Sequence, residues 1–376
     1  MSPQEILEAL QAPDPVVSRR ALSKAITLME STRADHALQA QALLELIAAS
    51  AHNKSSKSLR IGISGTPGVG KSTFIERFGL GLIEQGSRVA VLAVDPSSSL
   101  SGGAILGDKT RMEKLSVHPQ AFIRPSPSAG NLGGVCAKTR ETLLLCEFAG
   151  YEVILVETVG VGQSEVAVAN MTDVFLLMQL PNAGDDLQAI KKGVMEFADL
   201  VVINKADLDV NAAMQAQAMI ASSLRILAHS PANAQHLQSF ATNESFADGA
   251  DASALEAVVR PSGAGHPSPM MLDPSRRVFK ISALSGEGIE DLLLGLNAWV
   301  RELQSSGNWH AKRSEQSLAW FWERVESGLR ASFNEHKTIQ DLLPETLRKL
   351  RAGQEQPSLA ARKLLELLTH PIKDNP

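Results

Sequence analysis

The feature that most constrains the fold is a glycine-rich octapeptide, GTPGVGKS, at residues 65–72. It matches the pattern G-x-x-x-x-G-K-[ST], follows the β-branched run 59–64 and precedes a helical stretch over 72–85. In this context the glycines let backbone N–H groups turn inward around phosphate oxygens, and the helix directs its positive end at them. The sequence therefore predicts a phosphate-binding loop in which Lys71 reaches the β- and γ-phosphates and Ser72 binds Mg²⁺.

Short apolar runs alternate with helical stretches from residue 59 onward. Seven runs are strand candidates: 59–64, 88–94, 121–124, 152–156, 173–179, 199–203 and 277–281. Near-continuous apolar runs are typical of strands buried on both faces, and alternation with helices is typical of parallel sheets. The sequence therefore predicts an α/β fold with a doubly wound, mostly parallel sheet of the P-loop NTPase type.

Helical extensions flank this predicted sheet. Apolar residues recur at three-to-four spacing over 4–51 and again in the C-terminal stretches 311–336, 341–351 and 358–369. We therefore expect an N-terminal helical extension over 1–57, a P-loop domain over 58–300 and a C-terminal helical region over 301–376. Residues 230–276 are rich in Ala, Ser, Asn, Pro and Gly, which predicts a flexible surface insertion.

Composition excludes several function classes. The net charge is −5 and aromatic residues make up 4% of the 376 residues, so neither a basic footprint nor a base-stacking surface for nucleic acid is expected. The longest apolar runs, such as 173–180, are shorter than the roughly 20 residues of a membrane span. Two cysteines make no disulfide scaffold, and the N-terminus lacks an apolar leader core, so we expect a cytoplasmic protein.

The nucleotide base is indicated by the tetrapeptide Asn204-Lys205-Ala206-Asp207, which follows the run 199–203. A carboxylate here accepts hydrogen bonds from the guanine N1–H and exocyclic amine together, whereas adenine offers no such donor pair. Residues 282–284 (Ser282, Ala283 and Leu284) follow the run 277–281 in the same way. The sequence therefore favours GTP over ATP.

Acidic residues follow two further strands. Asp95 and Glu157 come at the carboxyl ends of the runs 88–94 and 152–156, where an α/β sheet places its ligands. Both are hard oxygen ligands suited to Mg²⁺, although an acid that caps a turn fits the same positions. Asp108 lies in the polar, glycine-rich segment 101–113, a candidate for a loop that orders on the γ-phosphate.

The residue that orients the attacking water is not evident. Val161 stands where a Ras-type GTPase has its catalytic glutamine, so we expect slow intrinsic hydrolysis that a partner or an acid from a switch loop accelerates. Asp108 is the candidate acid. A second loop-to-helix element, 179–192, carries Asp185 and Lys191 and is either a nucleotide-dependent switch or a solvated helix start.

These stretches resemble one family, the MeaB/ArgK/MMAA P-loop GTPases, which are chaperones of adenosylcobalamin-dependent acyl-CoA mutases. The matching stretches, in family order, are GTPGVGKST (65–73), VDPSSS (94–99), GGAILGDKTRM (102–112), RPSPSAGNLGGV (124–135), VETVGVGQSE (156–165), AGDDLQAIKKG (183–193), NKAD (204–207) and ISALSGEGI (281–289). The resemblance covers about residues 1–229 and 277–369.

The resemblance implies a set of site residues. Phosphates would be bound by Gly65, Thr66, Pro67, Gly68, Val69, Gly70, Lys71, Ser72 and Thr73; guanine by Asn204, Lys205, Asp207 and 282–284; and Mg²⁺ by Ser72, Asp95, Asp108 and Glu157. It also implies a switch with Asp185 and Lys191, a homodimer packed through C-terminal helices, and an acyl-CoA mutase as partner. Asn182 and Asp186 depart from the family's usual glycine and glutamate in that switch.

Two other functions stay open. A metal-insertion GTPase would carry Cys/His clusters for its metal, and the sequence has none that we recognise. A kinase linked to amino-acid transport, a label attached to the ArgK branch, would need an acceptor pocket, and NKAD argues against ATP.

Overall fold

The computed structural model describes residues 1–31, 33–51, 58–94, 112–125, 132–158, 164–182, 192–228 and 277–369. The segments that hold Asp95, Asp108, Asp185, Lys191 and the insertion 230–276 lie outside these ranges. The predictions made for those residues therefore stay predictions.

The described chain forms one seven-stranded sheet, which confirms the predicted fold class. The strands are β1 (Leu59–Gly65), β2 (Val89–Val94), β3 (Ala121–Pro125), β4 (Val153–Thr158), β5 (Val174–Gln179), β6 (Leu200–Ile203) and β7 (Val278–Lys280). Their order is β3-β2-β4-β1-β5-β6-β7, and every neighbouring pair is parallel. The chain first fills one side of β1 and then the other, and such a reversal opens a ligand crevice at the carboxyl ends of the strands.

Helices connect and flank these strands. They are α1 (Pro3–Leu10), α2 (Pro15–Glu30), α3 (Ala34–Ala51), α4 (Lys71–Glu84), α5 (Glu113–Val117), α6 (Leu132–Phe148), α7 (Ser164–Ala169), α8 (Lys192–Glu196), α9 (Val210–Ala228), α10 (Ile289–Ser305), α11 (Asn308–Glu335), α12 (Lys337–Arg351) and α13 (Pro357–Thr369).

The N-terminal helices begin where the sequence supplies caps. Ser2 and Glu5 form a capping box at the start of α1, and the Asp14 carboxylate accepts a hydrogen bond from the Val16 N–H at the start of α2. A proline occupies the first turn of each helix, where its missing N–H costs nothing. Arg124 at the end of β3 pairs with Glu30 of α2 at 2.6 Å, which ties this helical region to the sheet.

Both faces of the sheet are buried, as a doubly wound fold requires. On one face, Ile63 and Leu176 pack in a cluster with Phe74 and Phe78 of α4 and Leu296 of α10. On the other face, Leu177, Val201 and Ile203 pack against Ala213 and Ile220 of α9. Because side chains point alternately to the two faces along each strand, neighbouring residues pack against different layers of helices.

Charged side chains are concentrated at the amino ends of β1 and β5, in what we call the amino-edge cluster (Arg60, Glu147, Asp173, Lys312 and Arg313). Arg313 of α11 binds Asp173 through two bonds of 2.7 Å, and Arg60 binds Glu147 at 2.7 and 3.0 Å. The Lys312 ammonium donates to the Asp173 carbonyl at 2.8 Å.

The backbone joins this cluster as well. The Arg60 N–H donates to the Asp173 carboxylate at 2.8 Å, and the Arg313 guanidinium donates to the Ser58 carbonyl. Burial alone would lower the pKa of Arg313, but the hydrogen bond and charge of Asp173, with Glu147, outweigh it and raise that pKa. The cluster is thus a set of mutually satisfied charges.

The chain divides into two compact units, Met1–Arg313 and Ser314–Pro376. The second unit holds the rest of α11 together with α12 and α13 and exposes several large apolar side chains, namely Leu318, Phe321, Trp322, Leu329, Leu342, Leu347, Leu359 and Leu365. No helix among the described residues is long and apolar enough to cross a membrane.

Candidate functional site

The phosphate loop links β1 to α4 at the carboxyl edge of the sheet. Gly65 ends β1, the turn runs over 66–70, and α4 begins at Lys71. Gly68 and Gly70 have φ values of +79° and +95°, a region that favours glycine, and a Cβ at Gly65 would lie 2.6 Å from the Met178 carbonyl oxygen. The glycines of the motif are therefore required by backbone geometry and by close packing on β5.

Lys71 and Ser72 open α4 directly beneath this loop. The Lys71 ammonium donates to the Gly65 carbonyl at 2.8 Å and to the Thr66 carbonyl at 3.4 Å, so its side chain folds back over the loop. Both side chains are largely buried, whereas Pro67, Gly68 and Thr73 are exposed. The lysine thus lies where a phosphate group in the loop would meet its charge.

One buried amide joins the phosphate loop to the loop that follows β7. Asn204 lies just past β6 and is 2% exposed. Its Nδ2 donates to the Val69 carbonyl at 2.7 Å, and its Oδ1 accepts from the Ala283 N–H at 2.9 Å. A single side chain therefore fixes the distance between the two loops predicted to bind phosphate and base.

The neighbouring Lys205 supports the same arrangement. Its φ of +60° places a non-glycine residue in the left-handed region, an uncommon conformation that surrounding contacts must hold. Its ammonium donates to the Gly68 carbonyl at 3.0 Å. Two residues further on, the Asp207 side chain is exposed, as a carboxylate that receives a ligand must be.

The predicted base loop, 282–284, is held from three sides. The Ile281 N–H pairs with the Ile203 carbonyl at 2.8 Å, and the Ser282 N–H donates to the Glu287 carbonyl at 3.0 Å. The Arg77 guanidinium, from α4, donates to the Leu284 carbonyl at 3.1 Å. The structure thus brings 65–73, 204–207 and 282–284 together at one edge of the sheet.

Glu157 is the predicted metal-side acid that falls within the described residues. It lies near the end of β4, in register with Ile63 of β1 and Ala93 of β2, and it is 6% exposed. Alternation puts it on the same face of β4 as Val153 and Leu155, which pack with α4. Glu157 therefore shares with Ser72 the side of the sheet that α4 covers.

Sequence reasoning gave no individual role to Gln179, the last residue of β5. Its carbonyl accepts from the Asn204 N–H at 2.9 Å, and its side chain is 1% exposed. Within the described part of the chain, neither the Nε2 nor the Oε1 atom of its side chain has a hydrogen-bond partner. A polar residue that ends a fully apolar strand beside a phosphate loop was the available signal.

The described ranges contain no group of three or more His, Cys, Asp or Glu residues arranged to hold a metal ion. Cys146 is a buried free thiol whose pKa is raised by burial and by the neighbouring Glu147.

The chain has a parallel sheet with a P-loop, and Asn204 of the NKAD tetrapeptide braces that loop. These features define a P-loop GTPase, a class of protein that binds guanine nucleotides. The chain matches the family described as methylmalonyl-CoA mutase-associated GTPase MeaB over residues 22–338, so it belongs to that family.

Relatives of known name support this membership. The chain is 44% identical over 350 residues to a probable GTPase of Mycobacterium tuberculosis, covering 93% of this chain and 91% of that protein. It is 42% identical over 355 residues to the mitochondrial methylmalonic aciduria type A homolog of Mus musculus, covering 93% and 76%. A crystal structure described as LAO/AO transport system kinase superposes with a TM-score of 0.66 at 32% identity, covering 98% of each chain.

Proposed function

We propose that this GTPase hydrolyses GTP with Mg²⁺ and acts as a chaperone that gates the loading and protection of adenosylcobalamin in an acyl-CoA mutase, methylmalonyl-CoA mutase or a relative. The observation that carries the GTPase part is the Asn204 side chain, which spans from Val69 to Ala283. The mutase part rests on the family, whose description names methylmalonyl-CoA mutase.

The reaction is attack of water on the γ-phosphate. Lys71 would shift from the loop carbonyls to the β- and γ-phosphates, and the N–H groups of 66–70 would hold the phosphate oxygens as charge develops. Asn204 keeps this loop at a fixed distance from the base loop, while the exposed Asp207 would select guanine.

The donor set suits Mg²⁺, because the Ser72 hydroxyl and the Glu157 carboxylate are hard oxygen ligands on the α4 side of the sheet. We infer that these two residues, with Asp95 and Asp108, hold the ion. When bound, Mg²⁺ neutralises charge on the phosphate oxygens. Asp108 is also our candidate for the acid that orients the attacking water.

Residues 179–192 would report the nucleotide state to the mutase through Asp185 and Lys191. A switch can act on a partner only through a difference in affinity between its two states. Lys191→Ala should therefore spare basal hydrolysis and reduce the mutase-stimulated rate. Equal loss of both rates would make this segment part of the catalytic site instead.

We also propose a cytoplasmic homodimer. The large apolar side chains exposed on the unit Ser314–Pro376, such as Phe321 and Trp322, are what a helical dimer interface requires. Light scattering of the purified protein tests this: a monomer at micromolar concentration would contradict the dimer.

A nucleoside-triphosphate-dependent kinase linked to transport is the alternative that one observation favours, the similarity to the crystal structure described as a transport system kinase. A nucleotide panel separates the two: tight GDP binding without competition from ATP contradicts the kinase. A metal-insertion GTPase is less well supported, because the sequence has no Cys/His cluster that we recognise as a binding site for the inserted metal.

GTP turnover, measured alone and with the acyl-CoA mutase from the same source, tests the proposal. We expect stimulation of about tenfold or more, equal to about 1.4 kcal/mol of barrier. An acyl-CoA enzyme that uses no cobalamin serves as the control. Turnover that the mutase leaves unchanged would refute the chaperone role and leave the GTPase assignment intact.

A further inference from the structure

Arg77 of α4 lies against the loop that follows β7. Its Nη2 atom donates to the Leu284 carbonyl at 3.1 Å, and this carbonyl is its one hydrogen-bond partner among the described residues. Its Nη1 atom would lie 4.0 Å from a Cβ at Gly286, so the guanidinium covers the turn 284–286. Since α4 begins at Lys71, about 9 Å of rise before Arg77, one helix opens at the phosphate loop and holds the predicted base loop.

The backbone donors of the base loop are nearly all occupied. Within 282–287, five N–H groups donate to other atoms of the described chain, namely those of Ser282, Ala283, Ser285, Gly286 and Glu287. The N–H of Leu284 has no protein partner in the described ranges. The Leu284 side chain is 77% exposed, so this N–H belongs to an open part of the loop and is available to a ligand.

The free N–H of Leu284 lies between two anchored peptide groups. Asn204 Oδ1 accepts from the Ala283 N–H at 2.9 Å, which fixes the peptide group before it. Arg77 binds the Leu284 carbonyl, which fixes the peptide group after it. Packing holds Ala283, which is 2% exposed and belongs to the core cluster, but it does not hold the exposed Leu284. The direction of the Leu284 N–H therefore depends on Arg77.

A fixed N–H donor distinguishes purine bases at their 6-position. Guanine carries an oxygen there, which accepts a hydrogen bond, whereas adenine carries an amine, which donates. A donor that is held in place therefore pairs with guanine and leaves the adenine amine without a partner. Asp207 would bind the N1–H and the 2-amine of guanine, so the two contacts would recognise different atoms of the base.

We propose that Arg77 is a positioning residue for base recognition, which holds the Leu284 N–H in place for the O6 atom of guanine. The inference rests on the proposed function, since it takes residues 282–284 to bind guanine. Arg77 acts through the base loop and not on the reacting phosphate. Its loss should therefore raise KM for GTP and leave kcat at saturation unchanged.

The test measures how tightly Arg77→Ala binds two nucleotides that differ in one atom, GDP and 6-thio-GDP. Sulfur at the 6-position is a weak acceptor, and the N1–H and 2-amine are retained. We expect Arg77→Ala to weaken GDP binding about fivefold, as for loss of one hydrogen bond, and 6-thio-GDP binding less than about twofold. KM for GTP should rise about fivefold, with kcat within about twofold of the unmodified value.

Two further variants control for charge and for folding. Arg301→Ala removes the same charge from an exposed position on α10 and should bind both nucleotides like the unmodified protein. Arg77→Met keeps a long unbranched side chain without a donor, and it should show the same difference between GDP and 6-thio-GDP as Arg77→Ala. It decides the matter if the alanine variant does not fold.

Two results overturn the inference. One is a GDP affinity of the Arg77 variants within about twofold of the unmodified protein. The other is an equal loss of affinity for GDP and 6-thio-GDP, which would indicate a general effect of charge or structure. If the unmodified protein does not bind GDP more tightly than ADP, the guanine assignment in the proposed function fails as well, so the two failures are distinguishable.

Discussion

The two edges of the sheet place polar side chains in contrasting ways. At the amino edge, Arg60, Asp173 and Arg313 bind side chains of opposite charge. At the carboxyl edge, Lys71 and Asn204 donate to backbone carbonyls of the phosphate loop. The two edges differ in whether opposite charges meet: the amino edge pairs its buried charges with one another, whereas Lys71 and Asn204 shape a loop that a ligand can occupy.

The two edges also differ in whether buried polar side chains have hydrogen-bond partners. Asp173 accepts from the Arg313 guanidinium and from the Arg60 N–H, so its buried carboxylate is well supplied with donors. Gln179, at the opposite end of β5, has no hydrogen-bond partner for its amide within the described residues. Buried unsatisfied groups are costly, so the one in Gln179 calls for a physical explanation.

The largest expected effect is on stability and comes from the amino edge. Arg313→Ala removes the partner of a carboxylate that is 3% exposed, so we expect unfolding free energy to fall by about 3–5 kcal/mol. Urea titration measures it. Arg348→Ala, which breaks an exposed pair with Glu345, is the control and should leave the unfolding free energy almost unchanged. Equal losses in the two variants would contradict a special role for the amino-edge cluster.

The corresponding change at the carboxyl edge should remove activity instead. Lys71→Ala deletes the charge that we propose binds the γ-phosphate, and we expect kcat to fall by about 10²–10³ or more. Steady-state GTP turnover measures it, with unfolding free energy recorded on the same sample. A loss of stability as large as that of Arg313→Ala would show that the lysine has a structural role comparable to the amino-edge charges.

A smaller effect is expected on base selection. Asp207→Asn replaces a pure acceptor with a group that also donates, which suits xanthine better than guanine. We expect the preference for GTP over xanthosine triphosphate to shift by about tenfold or more, measured by competition for bound GDP. If the variant prefers GTP over xanthosine triphosphate as strongly as the unmodified protein does, Asp207 does not bind the base.

The smallest effect tests the unsatisfied amide. Gln179→Leu replaces a buried group that lacks partners among the described residues with an apolar one of similar size, so unfolding free energy of the nucleotide-free protein should rise by about 1 kcal/mol. Thermal unfolding measures this change in unfolding free energy. The comparison variant is Gln316→Leu, which replaces a glutamine that is also buried, on α11. A destabilised Gln179→Leu protein would mean that the amide is satisfied in solution.

The sequence predicted the fold well because its signals are local. The runs 59–64 and 173–179 differ from β1 and β5 by a single residue at one end, since β-branched runs between helices report directly on burial. The loop 65–72 and the NKAD tetrapeptide can be located in the sequence because each is a continuous motif, and their roles in binding phosphate and base stay predictions. The helix after the loop begins at Lys71, one residue earlier than expected.

What the sequence could not show is pairing across distance. Asp173 and Arg313 are 140 residues apart, and each looks like an ordinary charge at an element boundary. The two bonds of Asn204 reach residues 135 and 79 positions away, so the motif predicts the residue but not its bracing role. Glu76 of α4 is similar: its carboxylate accepts from the Lys114 and Leu115 N–H groups of α5, and these bonds depend on tertiary packing.

The most direct test of this division between the edges is a thermal unfolding series with GDP and Mg²⁺ for three proteins: unmodified, Arg313→Ala and Lys71→Ala. A ligand at 100 times its Kd stabilises a native protein by about 2.7 kcal/mol. We expect Arg313→Ala to have a lower Tm without ligand and to keep the full stabilisation by GDP and Mg²⁺. We expect Lys71→Ala to have nearly the unmodified Tm without ligand and to lose most of that stabilisation. The reverse pattern would contradict the division between the two edges. So would a loss of both the ligand-free Tm and the ligand-induced stabilisation in both variants.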